Sequence, residues 1–562
     1  MKNVYWLIVG CLLAQNVQAQ APVVTGVAPG RNGETTNRAA NVAVTFSQPL
    51  NANPSSTSLR VFSSQRGGRL TGTLSVSSNM LVYDPTREFR VGEELSVTTS
   101  TAVQGSNGVS LATPQVYRFR VRPVAGPGTF AAGTDVAIGT QPTFLATADV
   151  DGDGDLDFLA ANQNSNTVSL RLNNGRASFS NGADIPVGTT PTTVATADVD
   201  GDGDLDMLCS NRNSATVSVR LNNGSGLFGG GADVAVSATP VAVTTADVDG
   251  DGDLDLIAGS RTTPAVVSIR LNNGSGTFSG GADVQGRLLL TAVTTADIDN
   301  DGDLDVLATE DGIQPGNTGG VLVLHNNGLG TFAQGTAIVV AAEPQALTVG
   351  DIDGDGDVDL VTANRTPGTA SVRLNNGAGL FSGSTELNIG SSGKTVALAD
   401  VDGDGDLDLL AGSNSTVGTS VFFNNGAGVF GSPATYYVPA PFSLAPTDLD
   451  GDGDLDMLIA EGNSNTVGVF INNGSGAPLA AQARLAPVPV RIEVWPNPGH
   501  ESIQINGLGS YEEAQLLNAV GQVVAHITAN ANGYARLQLP AALPAGVYLV
   551  KASHNRRTIT IE

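Results

Sequence analysis

A nine-residue aspartate loop, Asp149-Val-Asp-Gly-Asp-Gly-Asp-Leu-Asp157, constrains this chain more than any other feature. It returns six more times, beginning at Asp198, Asp247, Asp297, Asp351, Asp400 and Asp448, at intervals of 48 to 54 residues. One period held over seven copies means one structural unit repeated seven times. Carboxylates at alternate positions converge on a single cation only if the backbone curls around it. A hard cation such as Ca²⁺ takes six to eight oxygens, with backbone carbonyls filling the places that carboxylates leave. An EF-hand loop supplies ligands at positions 1, 3, 5 and 7, with glycine at position 6 for the sharp turn. The first copy has aspartate at those four places, Gly154 at position 6, and Asp157 at position 9 to close the shell. Glycine holds position 6 in all seven copies, whereas position 4 is Asn300 in the fourth, which is the tolerance a curled loop predicts.

The expected metal ligands are therefore positions 1, 3, 5, 7 and 9 of each copy. They are Asp149, Asp151, Asp153, Asp155 and Asp157 in the first, and Asp198, Asp200, Asp202, Asp204 and Asp206 in the second. The third has Asp247, Asp249, Asp251, Asp253 and Asp255, and the fourth Asp297, Asp299, Asp301, Asp303 and Asp305. Asp351, Asp353, Asp355, Asp357 and Asp359 form the fifth, and Asp400, Asp402, Asp404, Asp406 and Asp408 the sixth. Asp448, Asp450, Asp452, Asp454 and Asp456 complete the set, for up to seven structural Ca²⁺ ions. A solvated acidic linker gives no reason for a fixed period with an apolar residue always at position 8. A nonapeptide β-helix would repeat about every nine residues. An EF-hand needs flanking helices, yet the flanks alternate like strands, as in Val194-Ala-Thr-Ala and Leu205-Asp-Met-Leu.

The formal charge of −27 follows from these loops, which hold 35 of the 54 acidic residues. The rest of the chain carries 27 basic against 19 acidic groups, so the acidity is ligand charge and says little about partners. Residues 1–19 read as a signal peptide: Lys2, an apolar run over 4–14, and Val17-Gln-Ala19 before the cleavage point. That run is too short to span a bilayer, and no other candidate span appears. Ile8-Val-Gly-Cys11 also has the form of a lipoprotein box, although the apolar run continues beyond it. Cleavage at Ala19 leaves Cys209 as the one cysteine, expected as a small buried apolar residue.

Residues 22–123 carry short period-2 segments such as Val42-Ala-Val-Thr-Phe46 and Leu59-Arg-Val-Phe62, separated by Pro, Gly, Asn and Ser clusters, a sandwich pattern. The succession Val27-Ala-Pro, Val44-Thr-Phe-Ser-Gln-Pro-Leu50, Leu81-Val-Tyr-Asp-Pro85 and Tyr117-Arg-Phe-Arg120 resembles bacterial Ig-like domains of surface proteins. Such modules space or present a neighbour. Residues 124–476 hold the repeats. Each has an Asn-Asn-Gly turn, at Asn173, Asn222, Asn272, Asn326, Asn375, Asn424 and Asn472, where Asn-Gly favours a two-residue hairpin. A phenylalanine follows the first six turns but not the seventh, and Gly128-Thr-Phe130 before the first loop supplies the missing piece. Four strands per unit with this offset predict a closed ring of propeller blades, the strand after Phe130 completing the last one.

The aspartate-loop units resemble FG-GAP (VCBS-type) repeats, the family of integrin α-subunit propellers and many bacterial surface proteins. The resemblance implies a Ca²⁺-binding loop between the first two strands of each blade, with the positions named above as ligands. The Phe-Gly signature is loose here, kept at Phe228-Gly229 and Phe430-Gly431. After an Ala/Pro-rich linker over 477–490, residues 491–562 contain Val494-Trp-Pro-Asn-Pro498, Leu516-Leu-Asn-Ala-Val-Gly-Gln-Val-Val524 and Leu543-Pro-Ala-Gly-Val-Tyr-Leu-Val-Lys551. These blocks look like the sorting domain of type IX secretion substrates, with Asn518 where that family usually has aspartate. The resemblance implies export by the type IX machinery to the medium or the outer-membrane surface.

The expected fold is thus all-β: a seven-bladed β-propeller between an N-terminal Ig-like β-sandwich and a small C-terminal β-sandwich. The expected function is a secreted or cell-surface binding and adhesion module for carbohydrate or protein, with no nucleic-acid partner. Ligands are placed on the face opposite the metal loops, on segments such as Asn162-Gln-Asn-Ser-Asn166, Asn211-Arg-Asn-Ser214, Arg261-Thr-Thr-Pro264, residues 310–320 and Asn364-Arg-Thr-Pro367. These are equally ordinary turn chemistry. A lyase-like polysaccharide-degrading enzyme and a purely structural spacer are the competing readings. His325, the one histidine of the propeller and Ig-like region, stands beside a turn and reads as structural, and no catalytic residue is assigned.

Overall fold

The computed structural model describes residues 20–312, 319–415, 418–438 and 440–472, and beyond them the tail strands between 493 and 561. The expected signal peptide at 1–19, the 477–490 linker, the tip of the 310–320 segment and parts of the three tail blocks lie outside the described residues. All regular structure among the described residues is β-strand.

Alternation near the N-terminus produces two four-stranded sheets. One runs Val24–Ala28, Val42–Phe46, Met80–Pro85, Gly72–Ser77, and the other Glu34–Thr35, Gln115–Val121, Glu94–Thr99, Leu59–Ser63. Their inward residues, among them Val44, Phe46, Leu81, Leu95 and Phe119, form one buried core.

In the repeats, burial grades from the second strand outward. Second strands such as Asp157–Asn162 and Asp206–Asn211 are buried at every position, since both of their faces meet neighbouring sheets. An outermost strand such as Ser382–Asn388 is almost wholly exposed. Seven such sheets follow one another, each innermost strand beside the next, and Pro441–Thr447 returns to lie beside Pro142–Ala148. An apolar cluster fills each junction. The one that closes the circle joins Leu145, Phe158 and Ala160 to Leu449, Leu458 and Val467. Burying one Leu, Val or Phe side chain contributes about 1.5–3 kcal/mol, so the junctions dominate the ring's stability. Cys209 is buried in the junction of the first two sheets and is unpaired, as an apolar filler would be.

The offset read from the phenylalanines is realised as a seam. Phe130–Ala132 and Val136–Ala137 both pair with Thr466–Asn472, so the last sheet takes its outer strands from before the first loop. The Asn-Asn-Gly turns differ from a two-residue hairpin. Asn173 pairs with Phe179, leaving a five-residue connection over 174–178. The wider turn frees the first asparagine for another task. Its side-chain amide donates to Leu156 O of its own loop at 3.1 Å and to Leu449 O of the preceding sheet at 2.8 Å. Every repeat makes the same pair of bonds, for example Asn222 to Val150 O and Asn472 to Val401 O, both at 2.8 Å.

The tail forms a separate unit. Its two sheets are Glu493–Trp495, Ser502–Asn506, Ala535–Gln538 and Val523–Thr528, Glu513–Leu517, Gly546–Lys551, Arg556–Ile561, with a core that includes Ile503, Leu516 and Tyr548.

Candidate functional site

Each aspartate loop joins an innermost strand to the second strand of its sheet, so all seven open on one face of the ring. The curl is made by short-range bonds. Asp149 Oδ1 accepts Gly152 N–H at 2.9 Å, Asp151 Oδ1 accepts Asp153 N–H at 3.2 Å, and Asp153 Oδ1 accepts Asp155 N–H at 2.9 Å. Position-4 glycines have φ of 71° to 78° and Asn300 has 60°, within the left-handed region that asparagine tolerates. Position-6 glycines lie between 91° and 103°, where a side chain is strained. That difference is why asparagine appears at one position and not at the other.

Position 9 ties the loop to its turn. Asp157 Oδ2 accepts Val150 N–H at 3.1 Å and Oδ1 accepts Asn173 N–H at 2.8 Å. Burial pushes these carboxyls up, Asp157 to about 8, Asp206 to about 7 and Asp255 to about 9, against the hydrogen bonds that hold them down. Position 1 rises for the same reason, Asp198 to about 6 and Asp247 to about 7. Acidic oxygens come within 4.8 Å of one another at Asp149, Asp151 and Asp157, at Asp198, Asp200 and Asp206, and at Asp247, Asp249 and Asp251. Such groups could hold a cation that supplies the missing counter-charge. Position 7 is placed differently. The Asp155 carboxylate lies so close to Gly175 of the turn that a Cβ there would fall 2.6 Å from Oδ1. In the third loop the position-7 carboxylate Asp253 is engaged by Arg60 at 2.7 Å.

The fourth loop departs from its siblings. His325 occupies the place held by Leu172, Leu221, Leu271, Leu374, Phe423 and Ile471 before the other turns. Its Nδ1 stands 3.5 Å from Asp299 Oδ2 and 3.7 Å from Asp305 Oδ2. Read as a turn residue, it carried no sequence signal of this placement except that one-in-seven substitution.

The N-terminal sandwich is seated directly on the loop face, an arrangement unlike a spacer. Arg90 donates to Asp149 Oδ2 at 2.8 Å and to Gly154 O at 2.6 Å, and Arg31 to Asp297 Oδ2 at 3.1 Å. Thr98 donates to Asp247 Oδ2 at 2.7 Å. Backbone bonds add Val116 N–H to Gly302 O at 2.7 Å and Val124 N–H to Gly453 O at 2.8 Å. Phe62 and Val116 insert into two of the junction clusters. A cavity of 430 Å³ under the sandwich is closed by Phe62, Ser64, Gln65, Glu94 and Arg118 above the innermost strands.

The other end of the channel holds a cavity of 610 Å³ lined by the first halves of the innermost strands, with no residue of the sandwich. Threonine hydroxyls there stitch sheet to sheet, as Thr143 Oγ1 to Thr192 O at 2.9 Å and Thr193 Oγ1 to Val241 O at 2.8 Å. Lys394 Nζ lies 5.2 Å from the centroid of the Phe442 ring and has no ion-pair partner among the described residues. Burial, then the Arg365 and Arg261 cations, hold its ammonium below the usual lysine range. Those arginines are neutralised by Glu343 and Asp311, each at 2.7 Å. Phe144 is 39% exposed on the same lining. Of the amide-rich segments on this face, Asn162, Asn211 and Asn364 are buried and spend their amides on Ser169, Ser218 and Ser371. They are framework.

An FG-GAP-like repeat model matches residues 149–209, 198–258, 247–308, 312–362, 351–411 and 400–459, together more than half of the chain. A bacterial Ig-like domain model matches 18–121, and a secretion system C-terminal sorting domain model matches 493–562. No curated protein matches. Similar solved structures include a BBS1N–ARL6DN complex soaked with lead, 12% identical over 62% of this chain and 98% of that one, TM-score 0.43. An Agrocybe aegerita lectin that recognises non-reducing terminal N-acetylglucosamine is 20% identical over 74% of this chain and 98% of its own, TM-score 0.39. A functionally unknown Desulfotomaculum acetoxidans protein is 10% identical over 68% and 99%, TM-score 0.41.

Proposed function

The chain belongs to the FG-GAP-like repeat family, and we propose that it is a calcium-stiffened binding module that takes a carbohydrate ligand in the free mouth of its ring. Its sorting domain makes it a secreted or outer-membrane-surface protein, which brings the mouth into contact with extracellular material. Calcium, bound at the aspartate loops, supplies counter-charge to carboxylates that burial otherwise destabilises. With the loop face covered by the sandwich, the opposite mouth is the concave surface left to a ligand.

The observation that carries this reading is the lining of that mouth. Phe144 and Phe442 offer flat apolar faces to a sugar ring, Gln345 an amide, and Lys394 an unpaired cation suited to an acidic sugar. The volume of 610 Å³ lies within the usual range for small-ligand sites, about 300–1,000 Å³.

A glycan array probed with the secreted protein, followed by calorimetry on the hits, tests the reading. Acidic oligosaccharides should bind, and Lys394→Ala and Phe442→Ala should each weaken them at least tenfold while leaving the fold intact. Binding unchanged in both variants would place the ligand elsewhere. Silence across glycans, with signal on a protein array, would move the ligand class to protein.

A further inference from the structure

We propose that the fourth aspartate loop is a mixed nitrogen–oxygen site that takes a borderline transition cation of the zinc class, unlike its six all-oxygen siblings. The inference deepens the metal reading above and rests on it. Imidazole suits Zn²⁺ and its neighbours, whereas Ca²⁺ is held by oxygen ligands.

Three features, the last two linked through Asp297, mark this loop. First, His325 replaces the apolar residue that precedes the other six turns, and its Nδ1 joins oxygens of Asp299 and Asp305 in a cluster whose ligand atoms lie within 4.8 Å of one another. The 3.5 and 3.7 Å separations from Nδ1 to those oxygens match two ligands bonded at about 2.0–2.2 Å to one ion at an open angle. Second, the donors are unspent. His325 Nδ1, Asp297 Oδ1 and Asp299 Oδ1 are all buried without a hydrogen-bond partner, and the Asp297 side chain is only 6% exposed. Buried polar atoms of this kind are costly unless something satisfies them. Third, the usual internal partner is missing. In the first three loops the position-4 N–H bonds to position-1 Oδ1, at 2.9, 2.8 and 2.8 Å. In the fourth, where position 4 is Asn300, Asp297 Oδ1 receives no such bond, while Oδ2 accepts the position-6 Gly302 N–H, as in the fifth and sixth loops, and Arg31 as well. The site therefore offers His325, Asp299 and Asp305 as one ligand group, and Asp299 is shared with an adjoining group that adds Asp297 and Asp301.

The competing explanation is that a protonated His325 is itself the counter-charge and no ion binds there. The full-length secreted chain and its His325→Leu variant distinguish the two, because leucine at that place is what four sibling turns carry. Both proteins are stripped of metal, then dialysed against excess Ca²⁺ with a small amount of Zn²⁺, and their metals are counted by mass spectrometry. Co²⁺ titration of each follows the visible absorption band of a nitrogen-ligated ion. The wild type should retain one equivalent of Zn²⁺ and show the Co²⁺ band. His325→Leu should lose both, with at least a tenfold weaker Zn²⁺ affinity and no loss of Ca²⁺ equivalents. Equal Zn²⁺ retention by the two proteins, or no Zn²⁺ in the wild type despite bound Ca²⁺, overturns the proposal and leaves the calcium reading standing. Absence of both metals from both proteins overturns the calcium reading itself.

Discussion

On the calcium reading proposed above, metal removal is the perturbation that reaches furthest into this molecule. Extracellular calcium modules bind at about 10⁻⁴–10⁻³ M. At millimolar calcium, RT ln(1 + [L]/Kd) is then about 1 kcal/mol per site. Seven filled loops, the fourth counted with whichever ion it holds, add about 7 kcal/mol, comparable with the ~5–15 kcal/mol net stability of a whole domain. A ring of roughly 350 residues unfolds with an entropy near 0.7 kcal/mol/K, taking about 2.1 cal/mol/K per residue. Chelation should therefore lower its melting temperature by about 10 °C. The sandwich stands on the same loops through Arg90, Arg31 and Thr98, so it should not melt unchanged. If it unfolds with the ring, the larger cooperative unit reduces the shift to about 7 °C. Differential scanning calorimetry in EDTA and in millimolar Ca²⁺ reads both the shift and the number of transitions. Superimposable traces would refute the assignment of the loops as metal sites.

Three further outcomes are expected. In EDTA, stability should fall as pH rises from about 5 to 8, because carboxyls such as Asp157 and Asp206, raised to about 8 and about 7, bind more protons folded than unfolded in that window; urea midpoints check the slope, which saturating Ca²⁺ should abolish. Gly201→Asn should cost under about 1 kcal/mol, whereas Gly203→Asn, at φ 97° with nothing near its Cβ, should cost about 1–3 kcal/mol by backbone strain alone, measured by urea unfolding. Asn222→Ala should cost about 1–3 kcal/mol, since it strands the buried Val150 and Leu205 carbonyls in two adjacent sheets, and equal midpoints for variant and wild type would show that water replaces the amide.

Local chemistry was legible in the sequence wherever a residue acts on its near neighbours. The curl of the aspartate loops follows from alternating carboxylates and the glycine at position 6, and the seam from one displaced phenylalanine, Phe130. Long-range pairings left no such trace. Nothing in the spacing of Arg31, Arg60 or Arg90 announces that their partners are Asp297, Asp253 and Asp149, hundreds or tens of residues away. The Asn-Asn-Gly motif predicts a tight hairpin because Asn-Gly usually is one. Its first asparagine is instead conscripted by a carbonyl of the neighbouring sheet, which only the closed ring brings near. His325 reads as a plain turn residue for the same reason: its carboxylate neighbours precede it by 20 residues or more, across two strands.

The seam also imposes an order of events in time. Within each sheet, paired strands are close in sequence, so the sheets can form one after another as local units. The pairing of Phe130–Ala132 with Thr466–Asn472 is different, because its halves lie more than 300 residues apart and loop-closure entropy must be met before any bond is gained. A chain made from its N-terminus exposes the first half of that pair long before the second. Until the second half is made, the sheets form an open row with a bare strand edge. Closure is then a single latch, set only once the whole row exists.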